Sequence, residues 1–402
     1  MIMTAAPARH ERLGMRDIRP LLQARALELA QQLCPGGRRD GAYWIAPNPR
    51  RGNDRAGSFI VWTQGDGAGA WKEMDAGDAE KGDIFQLIVY SGQADDLAGA
   101  LKWAKDWLGL SGATAPEIVR LREDAKKIDA AREVEDAKRR ASLVRYARAI
   151  WLGAGELKPG TPAWIYLEDA RGIPLKRLVQ ALQRRSATNA GGLQSLRAHP
   201  ALRYTWPEHD QLAPEWQVRR PACGWSQHPA LVASLSPVLG GTNSGMHRTY
   251  LARDGLAKAN VPKAKKMAGQ QLGCAVKVWR GESGLSASEA QRKGFKGVVV
   301  VTEGIEDALS CAASAPEHRV WAVGSLAGLG ALPWHPCVER YVIFADNDWA
   351  SPAAQAALDA AVKRLAQMGE VSIARSPVGK DANDLLRTPT GAEKPHGAKR
   401  RQ

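Results

Sequence analysis

Four consecutive valines, Val298-Val299-Val300-Val301, run straight into Thr302-Glu303-Gly304. The pattern returns at Tyr341-Val342-Ile343-Phe344-Ala345, which ends in Asp346-Asn347-Asp348. It returns again at Val371-Ser372-Ile373-Ala374, followed after a short turn by Lys380-Asp381-Ala382-Asn383-Asp384. A short apolar run without polar alternation fits a strand covered on both faces, as in a parallel sheet sandwiched by helices. Residues 305–313 and 352–368 read as the intervening helices, Gly369 closes the second, and Arg319-Val320-Trp321-Ala322-Val323 reads as one more strand. The order after Gly297 is therefore strand, helix, strand, loop, strand, helix, strand, which predicts a mostly parallel α/β unit. Ligands of such sheets sit beyond the carboxyl ends of the strands. Glu303, Asp346 and Asp348 are expected there, with Asp381 and Asp384 after the last strand.

Carboxylates gathered at one sheet edge repel one another unless a cation lies among them. Mg²⁺ or Mn²⁺ suits such a site, because both take hard oxygen ligands and bridge carboxylate to phosphate. The candidate ligands are Glu303, Asp307, Asp346, Asp348, Asp381 and Asp384. A plainer reading stands beside this one for each acid alone. Asp348 lies four residues before Pro352 and is placed to start a helix, and Glu306 and Asp307 fall in a first helical turn, where negative charge is favoured.

The 402 residues carry a formal net charge of +14. Such a length predicts two or three domains, and a basic excess of this size predicts a polyanionic partner. The five cysteines are scattered, with no CxxC pair, so no zinc site is expected and a reducing compartment is. No apolar run approaches the roughly 20 residues of a spanning helix, and residues 1–12 have no apolar signal core. The expectation is a cytoplasmic protein without membrane association.

Along the chain, residues 1–112 read as a small α+β module. It opens with one helix over 15–34 and continues with short strands around Trp44, Phe59 and Trp71. Residues 113–155 read as a charged helical linker. Residues 156–293 read as a basic α/β region, with strands at 202–204, 230–235 and 245–251, the last facing a strand at 275–279 across a lysine-rich loop. Residues 294–388 hold the acidic α/β unit, and 389–402 read as a disordered basic tail. The loop carries Lys258, Lys263, Lys265 and Lys266, flanked by Arg248, Arg253, Lys277 and Arg280. These cations are candidates for phosphate contact, with Arg248 and Lys277 expected to face the acids. Arg184-Arg185 forms a second basic patch. Of the 14 tryptophans, Trp44, Trp62 and Trp71 fall in the N-terminal sheet, where core packing is expected and stacking on single-stranded bases is the alternative.

Three segments in order resemble the Toprim domain of bacterial, phage and plasmid DNA primases, topoisomerases and some nucleases. They are Val301-Thr302-Glu303-Gly304-Ile305-Glu306-Asp307-Ala308, Phe344-Ala345-Asp346-Asn347-Asp348 and Gly379-Lys380-Asp381-Ala382-Asn383-Asp384-Leu385. The resemblance implies a Rossmann-type parallel sheet, metal held by the aspartates, and Glu303 in general acid–base work or metal positioning. Met246-His247-Arg248-Thr249-Tyr250-Leu251, with the lysine-rich loop, is similar to the region preceding Toprim in phage and plasmid primases. Asn48-Pro49, Gly57-Ser58-Phe59, the Trp71 strand and Gly82-Asp83-Ile84-Phe85 resemble the small zinc-binding domain of those proteins, here without its Cys and His ligands.

The implied function is a primase-type nucleotidyltransferase making RNA primers on single-stranded DNA from nucleoside triphosphates. Glu303, Asp346 and Asp348 would be catalytic. Arg248, Lys258, Lys265, Lys266, Lys277 and Lys380 would hold template or triphosphate. No Gly-x-x-x-x-Gly-Lys-Ser/Thr occurs in the chain, so any unwinding is expected from a separate helicase. Two alternatives remain open: a Toprim nuclease, in which water attacks a phosphodiester, and a non-catalytic nucleic-acid-binding accessory protein. A topoisomerase needs a nucleophilic tyrosine in a further large domain, and none of the seven tyrosines has that setting.

Overall fold

The computed structural model describes residues 13–51, 57–65, 67–74, 80–185, 193–209, 212–347 and 351–388, with backbone alone at 183–185. Asp348, the side chains of Arg184 and Arg185, and the tail 389–402 therefore lie outside the described residues. The chain divides into two compact units, residues 1–140 and 141–402.

In the first unit, α1 (Met15–Ala24) and α2 (Ala26–Leu33) replace the single helix expected over 15–34. Arg25, at φ −114° and ψ 27°, leaves helical geometry and separates them. Strands β1 (Arg38–Asp40), β2 (Tyr43–Ala46), β3 (Phe59–Trp62), β4 (Trp71–Glu73) and β5 (Lys81–Gly82) form an antiparallel sheet in that order. Helices α3 (Ile84–Tyr90) and α4 (Leu97–Trp107) follow. Trp44, Phe59, Val61 and Trp71 are buried, as two-residue alternation along β2 to β4 requires. Phe59 and Trp71 stack at 5.2 Å between ring centres, and Trp71 meets Tyr90 at 4.2 Å. Beside them Asn48 Nδ2 donates to Glu73 Oε2 at 2.7 Å and to Tyr90 Oη at 3.0 Å. The long helix α5 (Ala115–Gly153) continues from this unit into the second.

The second unit is built on one ten-stranded sheet. Its antiparallel part contains β6 (Gly155–Glu156), β7 (Leu196–Thr205), β8 (Trp225–Pro237), β9 (Gly245–Tyr250), β10 (Lys265–Gly269) and β11 (Cys274–Arg280). Between β6 and β7 come α6 (Pro162–Ile165), a π-helical turn at Tyr166–Ala170, and α7 (Leu175–Arg185). Helix α8 (Pro214–Gln217) precedes β8. The pairing expected between 245–251 and 275–279 does not form. The end of the lysine-rich loop is itself a strand, β10, and it takes one edge of β9 while β8 takes the other. β11 instead pairs with the end of the thirteen-residue β8 and with β13.

After α9 (Ala287–Arg292), the C-terminal part runs β12 (Gly297–Thr302), α10 (Ile305–Ser314), β13 (Arg319–Ala322), α11 (Leu326–Gly330), β14 (Val338–Ala345), α12 (Pro352–Ala366), β15 (Glu370–Arg375) and α13 (Ala382–Arg387). The strands lie in the order β13-β12-β14-β15, all parallel. Val299 and Val301 pack on one side of β12 and Val300 on the other, within separate apolar clusters. This two-sided burial is why the run is aliphatic without alternation. From β12 the chain steps to β13, then crosses back over β12 to β14 and on to β15. The connections leaving β12 and β14 thus diverge, and a crevice opens between their carboxyl ends. Among the described residues no helix is long and apolar enough to cross a membrane.

Candidate active site

β12 and β14 are hydrogen-bonded neighbours, with Thr302 opposite Phe344. Glu303 and Asp346 each lie one residue beyond the end of their strand, on chains spaced about 4.8 Å apart. Both line a cavity of about 240 Å³. Glu306, Asp307 and Asp381 complete its acidic side, and Arg171, Lys258, Lys265 and Lys380 its basic side, with His247 also in the wall. Glu303 and Asp346 come from the ends of β12 and β14, Glu306 and Asp307 from the first turn of α10, and Asp381 from the start of α13. Arg171, His247, Lys258 and Lys265 come from the antiparallel region.

Hydrogen bonds tie these elements together. Asn347 N donates to Lys380 O at 2.8 Å, and its Nδ2 to Ser376 O at 2.9 Å and Gly379 O at 3.0 Å. The Gly379–Lys380 turn is thereby held against the end of β14. Asp381 Oδ1 accepts Asp384 N at 2.9 Å as the cap of α13, and Asp384 Oδ2 accepts Lys380 N at 2.8 Å. Asp381 thus caps a helix and lines the cavity, whereas Asp384 braces the turn. Ser351 caps α12 by accepting Ala354 N, so the helix-starting role open to Asp348 belongs to Ser351.

Glu306 and Asp307 are buried in the first turn of α10, unlike ordinary solvated first-turn acids. Lys265 Nζ sits 3.0 Å from the Glu306 carboxylate, and Tyr166 Oη donates to Glu306 Oε1 at 3.0 Å. Arg171 Nε donates to the same hydroxyl at 3.0 Å. Burial is the largest effect and works against the Glu306 charge, but the Lys265 ammonium, its hydrogen bond and the Glu306 backbone N–H together outweigh it and hold the carboxyl down to about 2. Asp307 goes the other way. Burial, and then the charges of Asp381, Asp346 and Glu306, push it up to about 7, although Asn383 N donates to its Oδ1 at 3.2 Å. Gly304 has no Cβ because one would collide with Asp307 Oδ2.

The residues meet the needs of a hard divalent cation in the chemistry of their donors, which are all carboxylate oxygens. Among the described residues no three His, Cys, Asp or Glu side chains are grouped closely enough to form a ready ligand set.

Other cations expected here are placed elsewhere. Residues 265 and 267 of β10 stand opposite 249 and 247 of β9, so these four share one face of the sheet. Arg248 and Lys266 belong to the opposite face. Arg248 donates to Tyr146 Oη, Tyr250 Oη and Met267 O. Lys266 donates to Thr205 O and lies 3.9 Å from the centre of the Tyr204 ring. Lys277 pairs across strands with Trp321, and its Nζ donates to Pro237 O at 3.1 Å. The expectation that Arg248 and Lys277 face the acids is therefore corrected. Strand parity decides against Arg248, and the pairing of β11 with β13 decides against Lys277.

Sequence reasoning passed over Arg171, Tyr166, Asn383 and His247, and read Glu306 only as a first-turn acid. For His247 the parity of β9 was a usable signal, given its pairing. For Arg171, at the end of a π-turn over a hundred residues before the acids, no sequence signal pointed to the site.

Residues 298–392 match the family model of the Toprim domain, and residues 141–278 match a domain of unknown function, DUF7146. No curated protein matches. A crystal structure of the primase fragment of the bacteriophage T7 primase-helicase protein aligns at 18% identity and TM-score 0.26, over 39% of this chain and 57% of that one. A T7 structure of the lagging-strand DNA polymerase interacting with primase domains bound to an RNA/DNA hybrid and dTTP contains a chain that aligns at 18% identity and TM-score 0.25, over 45% and 83%.

Proposed function

Starting from a chain that is a Toprim-domain protein over residues 298–392, we propose that it is a primase-type nucleotidyltransferase. It would join nucleoside triphosphates on single-stranded DNA. The observation that carries this reading is the two-sided cavity, with carboxylates from the Toprim strand ends and helix starts on one side and Arg171, Lys258 and Lys265 from the region before it on the other. A site that moves phosphoryl groups needs both: acids to hold a cation and bases to hold the phosphate chain.

Glu303, Asp346 and Asp348 would hold Mg²⁺ or Mn²⁺, with Asp307 and Asp381 beside them. The bound cation supplies charge neutralisation for the phosphate and acidifies an attacking hydroxyl. Lys258, Lys265, Arg171 and Lys380 orient the triphosphate by charge and hydrogen bonds. Glu303 stands at the end of β12, next to Asp346, where a carboxylate can accept the proton of the 3′ hydroxyl. Glu306, fixed by Lys265 and Tyr166, sets the position of α10 and with it Asp307. Template and a partner helicase belong to the same proposal.

Incubation with single-stranded DNA, labelled nucleoside triphosphates and Mg²⁺ or Mn²⁺ tests it. New oligonucleotides, lost in Asp346→Ala, are the expected result. Shortened template without new product would replace this reading with nuclease action.

A further inference from the structure

We propose that His247 is a substrate-contacting residue whose imidazole hydrogen-bonds the phosphate chain of a nucleoside triphosphate held between Lys258 and Lys265. This rests on reading the cavity as a nucleotide site. His247 sits in the cavity wall with Lys258 and Lys265. It is 7% exposed, and its Nδ1 is buried with no hydrogen-bond partner among the described residues. A buried polar nitrogen without a partner is costly and uncommon in a native fold. Nδ1 itself is closed to solvent, so a phosphate oxygen would bond the imidazole at the ring edge that lines the cavity, anchoring a ring that Nδ1 leaves unheld.

Strand pairing fixes the orientation. His247 stands opposite Ala233 of β8 and Met267 of β10, so the ring cannot move to the other sheet face without a register slip. The electrostatic setting fits a contact rather than a proton carrier. Burial, then the charge of Lys265, push the imidazole down to about 4, with Arg248 and Lys258 acting in the same direction and Glu306 opposing. The ring is neutral at pH 7, so it adds a hydrogen bond to the basic wall without adding repulsion among the cations.

The test uses the whole chain with Mg²⁺ and an α,β-methylene nucleoside triphosphate, titrated to give Kd, alongside primer synthesis with natural triphosphates. His247→Ala is expected to weaken binding about tenfold, the worth of one hydrogen bond, and to raise KM in parallel while kcat falls less than about threefold. His247→Gln, which keeps an N–H, is expected to recover most of the affinity and to guard against a folding defect. Unchanged Kd in a folded His247→Ala overturns the proposal, as does a fall in kcat with Kd intact. If the wild type binds the analogue through His247 but makes no primers, the contact stands and the polymerising function falls. If primers depend on Asp346 while His247→Ala binds normally, the function stands and the contact falls.

Discussion

Lys265 and Lys266 follow one another in β10, yet Lys265 meets the Glu306 carboxylate at 3.0 Å and Lys266 meets the Thr205 carbonyl at 2.7 Å on the opposite face. One residue of strand phase separates a cavity cation from a structural one. The Lys265 contact also joins the antiparallel region to helix α10 of the Toprim domain, and Tyr166 reinforces it.

Removing Lys265 leaves Glu306 buried without its counter-charge. Lys265→Met is expected to cost about 2–3 kcal/mol in urea unfolding, below the range for fully buried pairs because Lys265 keeps 39% of its side chain exposed. The double change Lys265→Met with Glu306→Gln is expected to recover part of that loss. Lys266→Met, which loses one hydrogen bond and one ring contact, is expected to cost about 1 kcal/mol.

Asp307 makes stability depend on pH. Its carboxyl lies at about 7 in the folded chain against a reference of 3.8, so the folded state holds a proton that the unfolded state has released. The resulting stabilisation is complete below about pH 4 and is lost as pH rises through about 7. Urea unfolding without divalent cations is expected to show stability falling across that window by a few kcal/mol. Asp307→Asn is expected to flatten the slope, and Mg²⁺ to restore stability at the alkaline end. Glu306 acts oppositely: its carboxyl is held at about 2, so its contribution is present above about pH 4.5 and is lost only as pH falls toward 2.

Gly304 leaves room for the Asp307 carboxylate. Its φ is an ordinary −87°, so the need for glycine is steric rather than conformational. Gly304→Ala is expected to leave circular dichroism unchanged and to lower primer synthesis by at least about tenfold through displacement of Asp307. Normal synthesis in that variant would remove Asp307 from the site.

The two groups of basic residues are expected to separate in a binding assay. Lys258→Ala is expected to weaken nucleoside triphosphate binding by about tenfold, as loss of one charge-assisted contact does. Lys277→Met, whose parent side chain reaches Pro237 O instead, is expected to leave that affinity within about twofold. Equal effects would mean that the phosphate path runs past Lys277.

The C-terminal α/β unit was legible because its strands are short aliphatic runs, β12 is buried on both faces, and β12 and β14 are followed at once by acids. Residues 298–301, 341–345 and 371–374 all fall within strands, and Glu303 and Asp346 stand at adjacent strand ends. The antiparallel region was less legible. Lys265 and Lys266 read as loop cations, because nothing local shows that 265–269 supplies a strand to β9. Once that pairing is missed, the faces of Arg248 and His247 cannot be assigned, and the arginine appears the better ligand by charge alone. Tyr166 and Arg171 reach the site only through tertiary packing. The break at Arg25 is likewise not written in the helical periodicity of 15–34.

Mn²⁺ binding tests the central claim most directly, that the acids at the ends of β12 and β14 meet around a cation. Titration followed by electron paramagnetic resonance, in the absence of DNA and nucleotide, reads it without assuming any activity. The expected result is saturable uptake by the wild type and at least about tenfold weaker uptake by both Glu303→Gln and Asp346→Ala, as loss of one ligating carboxylate produces. Uptake by both variants equal to that of the wild type would contradict it.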